Sequence, residues 1–152
     1  MRLRAATPGD ARWIAEQYEL AGFLPSDLEQ DTVVIAEIDG RPAGLGRLVP
    51  AGQGVFELGG MWVPDAFRGQ GVARAIVGEL IRRAAGAAVY CVPFASLEGL
   101  YASAGFQRVP REGAPPKVQE KLEWCDREVQ REVILMRLSV TDHSEKRNSL
   151  SS

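Results

Sequence analysis

The chain has 152 residues, with 18 basic and 20 acidic side chains, a formal net charge of −2 and a hydrophobic fraction of 45%. This length suits one domain that buries its core without covalent cross-links, and the nearly balanced charge disfavours nucleic acid or an anionic membrane as the partner. Cys91 and Cys125 have no companions at metal-ligand spacing and indicate reduced thiols. No signal peptide or membrane-length apolar stretch is found, so we expect a cytoplasmic protein. We also expect no metal ion in the site.

The first half of the chain predicts one helix followed by strands. Residues 2–7 alternate basic and apolar side chains, which is typical of a short half-buried strand. Thr7 and Asp10 favour a helix start, and Gly22 is expected to end that helix. The segment 24–30 is interpreted as a polar turn or a short second helix. Three β-rich segments then predict strands over 32–38, 43–49 and 55–63.

The second half alternates helices and strands, which indicates a mixed α/β class. The predicted helices are an amphipathic one from Gly69 to Ala84, a short one that ends at Gly105, and one within an inserted segment at 110–132. The predicted strands are 87–92, 106–109 and 133–140. We expect one domain over 1–140 and a polar, mobile tail over 141–152, whose His143 has no catalytic role.

The stretch "PDAFRGQGVARAI" places Gly69 and Gly71 directly before an amphipathic helix. A phosphate-binding P-loop would need Gly-Lys-Ser/Thr after its spacer, and this chain has none. A dinucleotide fingerprint would need a third small residue where the chain has Arg74. From these residues alone, a tight turn into a surface helix and an anion site at its N-terminus both stay open.

The context of these glycines resembles motif A of the GNAT superfamily of acetyl-CoA-dependent N-acyltransferases. A strand ending in "MWV" precedes "RGQGVA", in which Arg68, Gly71 and Ala73 fill the pattern Gln/Arg-x-x-Gly-x-Gly/Ala. "LYASAGF" is similar to motif B, and "ELGGMWV" to the family's fourth strand. The resemblance covers about 1–140. It implies a mixed, mostly antiparallel sheet of six to seven strands, splayed between strands 4 and 5 and flanked by helices.

The resemblance implies two sites of contact with coenzyme A. The pyrophosphate would lie at the helix N-terminus, where unpaired N–H groups and the positive end of the helix dipole favour an anion. The pantetheine arm would lie in the gap between the splayed strands, bonded to main chain. The implied cofactor-binding residues are Met61, Trp62, Val63, Arg68, Gly69, Gln70, Gly71, Val72, Ala73 and Arg74. As a structural alternative, the Gly59-Gly60 pair only relieves crowding beside Trp62.

The implied reaction is acetyl transfer from acetyl-CoA to an amine by direct attack on the thioester. Glu57 is the leading candidate for the general base, through a water molecule, with Asp31, Glu37 and Glu98 as alternatives. Tyr101 matches the family's general acid. Since a phenol has a pKa of about 10 and a thiol about 8.5, a hydrogen bond to the developing thiolate is easier to defend than full proton transfer. Main-chain N–H near Val63 is expected to hold the oxyanion.

One residue departs from the family pattern. Many members carry an asparagine seven residues before the tyrosine, bonded to pantetheine, and this chain has Phe94 there. A second hypothesis is therefore a catalytically silent acyl-CoA-binding module that acts as a sensor or scaffold.

The acceptor is expected to be a small-molecule or peptide amine, with Trp13, Tyr18, Phe23 and Asp27 as candidates without assigned roles. A homodimer stays open, because family members are often dimers.

The helix of the insert has one apolar stripe that must dock on the domain's own sheet or on a second subunit. We expect it to wall the acceptor pocket, with the covering of a sheet edge as the alternative. The stripe consists of Val118, Leu122, Cys125 and Val129.

Overall fold

The structure, a computed structural model, describes residues 1–139 and consists of a seven-stranded sheet in the order β1-β2-β3-β4-β5-β7-β6, flanked by four α-helices. The strands are β1 Arg2–Ala5, β2 Thr32–Ile38, β3 Arg41–Gly52, β4 Val55–Trp62, β5 Ala88–Cys91, β6 Phe106–Arg108 and β7 Met136–Leu138. The helices are α1 Ala11–Ala21, α2 Val72–Ala84, α3 Glu98–Ser103 and α4 Pro116–Glu128. The predicted tail 141–152, with His143, lies outside the described residues, as does the last residue of the predicted strand 133–140.

The sheet is mixed, as predicted, because β4 and β5 pair in parallel while the other neighbours are antiparallel. The parallel pairing joins Val55–Leu58 to Ala88–Cys91. Beyond it, β4 continues through Gly59 to Trp62, whereas β5 has ended. The expected splay between strands 4 and 5 is therefore confirmed, and it leaves a gap in the middle of the sheet.

Helix α2 covers one face of the sheet. Ile76 and Leu80, both fully buried, pack in the same cluster as Leu48 of β3. Two glycines of β3 set how closely the helix approaches. A Cβ on Gly44 would lie 2.7 Å from Cγ1 of Val72, and one on Gly46 would lie 2.9 Å from Cγ2 of Ile76. The absent side chains thus fix the height of α2 above the sheet.

Helices α1 and α4 cover the opposite face. Ile14 of α1 packs in a cluster with Leu45, which alternates along β3 with the residues that face α2. The predicted apolar stripe of the insert docks on the domain's own sheet, where Leu122 is 2% exposed and shares a cluster with Ala51 of β3 and Tyr90 of β5. The helix of the insert is therefore part of the folded domain.

Two predicted boundaries need correction. Helix α2 begins at Val72 rather than Gly69, because Gly69 and Gly71 have φ of +81° and +78°, which is incompatible with a right-handed helix. The segment 24–30, predicted as a turn or a short helix, contains no helix and ends in a turn at 28–30. The last strand is limited to Met136–Leu138, since the preceding residues bond irregularly: Ile134 N donates to Pro93 O at 3.0 Å.

Candidate active site

A cavity of about 1180 Å³ opens on the side of the sheet that carries α1 and α4, where β4 and β5 diverge. Four parts of the chain line it: β3 from Arg47 to Ala51, β4 together with the β5–α3 connection and α3, the turn segment after α1 (residues 22–31), and α4 with the residues that follow it.

A β-bulge shapes the wall that β4 contributes. Arg47 of β3 lies opposite Gly59 and Leu45 opposite Trp62, so β4 has one residue more than β3 across this span. Gly60 in the bulge has φ of +58°, a left-handed conformation that favours glycine. The bulge interrupts the regular pairing of β4 beside the cavity.

The glycine pair of β4 also relieves crowding, but not beside Trp62. A Cβ on Gly59 would lie 2.8 Å from Oε1 of Glu57, and one on Gly60 would lie 2.5 Å from the hydroxyl oxygen of Tyr18. Both distances are below ordinary van der Waals contact. The pair therefore makes room for the carboxylate of Glu57 and the hydroxyl of Tyr18.

Glu57 lies on β4 at the cavity and is 6% exposed. Its Oε1 accepts a hydrogen bond from Nζ of Lys121 at 2.5 Å, so helix α4 supplies the cation for this buried carboxylate. Oε2 has no hydrogen bond from another side chain or from main chain in residues 1–139. One oxygen of Glu57 is thus held in place by Lys121, while the other is free to accept a proton.

Tyr101 of α3 is 4% exposed, and its ring packs edge-on against Phe106 at a centroid distance of 5.8 Å. Burial raises the pKa of its phenol, with the nearby Cys91 and Glu57 adding to the effect. Burial also raises the pKa of the Cys91 thiol, which lines the same cavity. Both groups are therefore protonated at neutral pH, so Tyr101 can donate a hydrogen bond and Cys91 is a poor nucleophile.

The N-terminus of α2 lies after the end of β4 and outside the cavity lining. The first amide of the helical ladder is Ala75 N, which donates to Gly71 O at 3.1 Å, so the N–H groups of the preceding helix residues point out of the helix end. Apart from the adjacent residues, no atom of residues 1–139 lies within 4 Å of the position that a Cβ would take on Gly69 or Gly71. The helix end therefore offers an open, electropositive cradle that fits a pyrophosphate.

The structure brings together some of the predicted residues and separates others. Glu57, Met61 and Tyr101 line the cavity, whereas the remaining predicted contact residues, Trp62, Val63 and Arg68 to Arg74, do not. The Trp62 ring turns toward α1, where its Nε1 donates to Gln17 Oε1 at 3.0 Å.

Other predicted candidates have partners elsewhere. Arg68 Nε donates to Val63 O at 3.1 Å, and Arg68 also pairs with Asp65 at 2.9 Å, so this side chain orders the connection before α2. Among the alternative bases, Glu37 pairs with Arg4 and Glu98 with Arg108, both away from the cavity.

Asp31 lines the cavity but accepts from Ser26 Oγ at 2.6 Å and from Asp27 N at 3.0 Å. Phe23 and Asp27 also line it, whereas Trp13 and Tyr18 are not part of its lining. Phe94, which replaces the usual asparagine, lines the cavity with its ring 4.0 Å below the guanidinium of Arg131.

Two cavity residues were missed by sequence reasoning. Arg47 lies within the strand segment "LGRLV", where a lone arginine reads as a solvent-facing residue, yet it is only 7% exposed. Lys121 lies on α4 one residue before Leu122 of the apolar stripe, and no local signal identifies Glu57 as its partner. Both roles depend on contacts between residues far apart in sequence.

Residues 1–139 contain neither a group of metal-binding side chains nor a membrane-spanning helix. Within residues 1–139 no group of three or more His, Cys, Asp or Glu side chains could hold a metal ion. No helix in that part of the chain is long and apolar enough to cross a membrane.

Solved structures with the same fold include several acetyltransferases. Rv2747 from Mycobacterium tuberculosis, solved in complex with CoA and NLQ, has a TM-score of 0.73 at 19% identity, covering 91% of this chain and 98% of that one. N-acetylglutamate synthase from Neisseria gonorrhoeae, complexed with coenzyme A and L-arginine, has a TM-score of 0.69 at 18% identity, covering 90% of this chain and 33% of that one. A ribosomal-protein-alanine N-acetyltransferase from Brucella melitensis has a TM-score of 0.66 at 20% identity, covering 90% of this chain and 98% of that one.

The sequence itself identifies the family. A comparison with curated proteins gives no significant match. A sequence model of the acetyltransferase (GNAT) family, however, matches residues 4–106, a span that runs from β1 through the bulged strand and the α2 cradle to the start of β6. The match covers more than half of the chain and includes Glu57, Gly71 and Tyr101. The chain therefore belongs to the GNAT family of acetyltransferases.

Proposed function

We propose that this chain transfers the acetyl group of acetyl-CoA to a small-molecule or peptide amine by direct attack of the amine on the thioester. The observation that carries the proposal is the cavity at the sheet gap, which brings Glu57, the bulge at Gly60 and the side chain of Tyr101 together. Acetyl-CoA supplies the acetyl group as an activated thioester. The chain must bind this co-substrate, accept a proton from the amine and stabilise the leaving sulfur.

The cofactor-binding residues follow the path from the cradle to the cavity. The open N-terminus of α2, from Arg68 to Arg74, would bind the pyrophosphate through main-chain N–H groups. The exposed main chain of β4 beyond its last pair with β5, including Met61, Trp62 and Val63, would bind the pantetheine arm. A main-chain N–H in this stretch would stabilise the oxyanion, a contribution of about 10²–10³ in rate for one donor.

Glu57 acts as the general base in this proposal. The attacking amine loses one proton as the new C–N bond forms, and Oε2 of Glu57 is placed to accept it directly or through water. Lys121 Nζ holds the other carboxylate oxygen and thereby orients the group.

Tyr101 stabilises the leaving group. As the C–S bond breaks, negative charge develops on sulfur, and the phenol can donate a hydrogen bond to it. Because burial raises the pKa of Tyr101, it stays protonated throughout the neutral range and serves better as a hydrogen-bond donor than as a source of a free proton. The thiolate then gains its proton from solvent, since a free thiol has a pKa of about 8.5.

Direct attack is favoured over transfer through an enzyme-bound acyl group. Cys91 is a potential nucleophile in the cavity and is 1% exposed, but burial raises the pKa of its thiol. Cys125 lines the same cavity, and burial raises the pKa of its thiol as well. A protonated, buried thiol is a weak nucleophile.

The insert at 110–132 belongs to a single acyltransferase domain in this proposal, and α4 walls the acceptor side of the site. Lys117, Lys121 and Trp124 of α4 line the cavity opposite the bulge of β4. Since α4 packs on the same sheet that carries Glu57, the acceptor has to pass between this helix and the turn segment after α1.

Release of the free thiol of coenzyme A from acetyl-CoA tests the proposal. A panel of amino acids, polyamines, aminoglycosides and peptides with free N-termini serves as acceptors. We expect release that depends on one class of amine and falls about a hundredfold or more in Glu57→Gln. Glu123→Gln, on the exposed face of α4, should match the parent. Tight binding of acetyl-CoA without amine-dependent release would contradict the proposal and favour a silent acyl-CoA-binding module.

A further inference from the structure

The cavity contains a buried arginine that has no counterion among residues 1–139. Arg47 of β3 is 7% exposed and lines the cavity. Its side chain makes one hydrogen bond within residues 1–139, from Nη1 to the main-chain oxygen of Leu24 at 3.1 Å. No carboxylate in that part of the chain lies within 4.0 Å of its guanidinium nitrogens, and its Nε is buried without an acceptor. A buried positive charge with so few partners is costly to the folded protein.

The surroundings of Arg47 do not compensate this charge. The guanidinium lies 4.6 Å from the ring centroid of Tyr18, which supplies a cation–π contact, but the Tyr18 hydroxyl is itself buried with no hydrogen-bond partner among residues 1–139. Asp31, an acidic residue of the same cavity, is hydrogen-bonded to Ser26 and to Asp27 N instead. Glu57 is held by Lys121. The nearby carboxylates are thus engaged elsewhere, and the guanidinium is left for a ligand.

Arg47 lies next to the reacting groups. Gly59 and Gly60 are consecutive residues of β4, and the position of a Cβ on the first would be 2.8 Å from Glu57 Oε1, while that on the second would be 2.9 Å from Arg47 Nε. A carboxylate and a guanidinium therefore flank neighbouring residues of one strand. A small molecule with an amine at one end and a carboxylate at the other matches this arrangement of opposite charges.

We propose that the acceptor is an amino acid, whose carboxylate is bound by Arg47 while its amine faces Glu57. This inference rests on the proposed function and deepens it. A guanidinium binds a carboxylate through two parallel hydrogen bonds and leaves the amine in a fixed direction. Exposed charges of both signs around the cavity mouth, such as Lys117 and Glu120, are screened by solvent and select an acceptor less strongly than this buried group.

The first experiment compares acceptors that differ only in the carboxylate. The twenty L-amino acids, their amides and their decarboxylated amines are each incubated with enzyme and acetyl-CoA, and thiol release is measured. We expect release with one or a few amino acids and at least tenfold lower kcat/KM for the matching amide and amine. Equal or better turnover of the amides or amines would overturn the carboxylate subsite while leaving the acetyltransferase proposal intact.

The second experiment changes Arg47. Arg47→Met keeps an unbranched apolar side chain and removes the charge and the guanidinium donors, and we expect the KM for the amino acid to rise about tenfold to a hundredfold, with the KM for acetyl-CoA within twofold of the parent. Arg47→Lys keeps the charge without the paired donors, and its KM for the amino acid should lie between those of the parent and of Arg47→Met. Arg12→Met, on an exposed arginine of α1, is the matched control. Thermal unfolding of each variant reports whether it folds. If the folded Arg47→Lys and Arg47→Met variants keep the parent KM, the subsite is wrong.

A binding measurement separates this inference from the proposed function. The same amino acids are added to the enzyme saturated with coenzyme A, and the shift in Tm is recorded. If no amine is acetylated but an amino acid raises the Tm of the parent and not of Arg47→Met, the subsite holds and the transferase proposal fails. If no amine is acetylated and no amino acid raises the Tm, both fail.

Discussion

At the scale of single residues, two glycines near the site are required for different physical reasons. Gly60 is confined, because a Cβ there would meet the Tyr18 hydroxyl oxygen at 2.5 Å. At position 71, by contrast, a Cβ would meet no atom of another described residue within 4 Å, apart from the adjacent residues. Glycine is required there only because φ is +78° and because a bound pyrophosphate would need the space. A substitution at Gly71 therefore separates ligand binding from packing.

We predict that Gly71→Val weakens acetyl-CoA binding about tenfold or more, because the branched side chain would occupy the cradle at the start of α2. The matched control is Gly86→Val after the C-terminal end of the same helix, where φ is +86° and a Cβ also meets nothing within 4 Å. Both variants place a β-branched residue at positive φ, so they are strained to a similar degree. Titration calorimetry should show reduced affinity in the first variant alone, and equal affinities in the two would reject the cradle.

For Tyr101→Phe we expect kcat to fall about a hundredfold with little change in the KM for acetyl-CoA, since only the donor to the leaving sulfur is lost. The ring keeps its edge-on contact with Phe106, so the Tm should stay close to that of the parent. Tyr90→Phe removes a hydroxyl from a buried tyrosine that does not line the cavity, and it serves as the control. An unchanged kcat in Tyr101→Phe would leave the phenol without a role in turnover.

Sequence reasoning proposed Glu57 and Tyr101 as site residues but did not consider Arg47, and the difference is physical. The first two lie in segments that resemble family motifs, and both line the cavity. Arg47 is one polar residue in an apolar strand, and its burial follows from the bulge at Gly60 and from Tyr18 of α1. Such a role is set by tertiary contacts that no local pattern encodes.

At the scale of elements, helices and strands with clear periodicity were predicted well, and their ends less so. The apolar stripe of α4 was predicted and is buried, with Val118 and Leu122 at 1% and 2% exposure. The start of α2 was placed three residues early, because glycines at a helix start do not reveal their φ. The irregular approach to β7 depends on main-chain bonds to Pro93 and Val109, which are distant in sequence.

We predict that Leu122→Ala loosens α4 and raises the KM for the acceptor more than the KM for acetyl-CoA. Truncation of a buried leucine costs about 2–5 kcal/mol through lost burial and a cavity. Glu123→Ala, on the exposed side of the same helix, controls for changes in helix propensity. Hydrogen exchange over 116–128 and steady-state kinetics are the measurements. Faster exchange with both KM values unchanged would show that α4 only covers the sheet.

The start of α1 predicts a pH effect on stability. Arg4 Nη1 donates to Asp10 Oδ2 at 2.7 Å, and Thr7 N donates to the same oxygen, so the pKa of Asp10 is held well below its usual range. The unfolded state thus binds the proton more readily, and this stabilisation is present above about pH 4 and is lost as the pH falls below it. Asp10→Asn should cost about 1–2 kcal/mol at pH 7 and progressively less in acid. Urea unfolding at several pH values measures the difference, and a constant cost down to pH 2 would contradict this.

At the scale of the whole molecule, the sheet is held together across its centre by one short parallel pairing. β4 and β5 pair only between Val55–Leu58 and Ala88–Cys91, and the clusters around α2 and α4 connect the two halves from either face. This architecture was predictable from the family motifs, whereas the position of the insert beside the cavity was not fixed by them.

We predict that acetyl-CoA stabilises the whole chain and not only its binding residues. A ligand at about 100 times its Kd adds about 2.7 kcal/mol to the free energy of unfolding. Because the gap between the strands would be bridged, hydrogen exchange should slow on both sides of it, at 59–63 and at 92–94. Slowing confined to the start of α2 would show that only the pyrophosphate end is bound. Free acetate at the same concentration is the control.

The alternation of β3 has a consequence for how such a protein can change its substrate. Between 44 and 49, the even positions face α2, with Gly44 and Gly46 setting the height of the helix whose end forms the cradle. The odd positions face the other side, where Arg47 and Val49 line the cavity. Mutations at odd positions can therefore alter the choice of acceptor without moving the cofactor helix. Substitutions on one face of a single strand can thus change the acceptor specificity, by evolution or by design, while the binding of the cofactor is preserved.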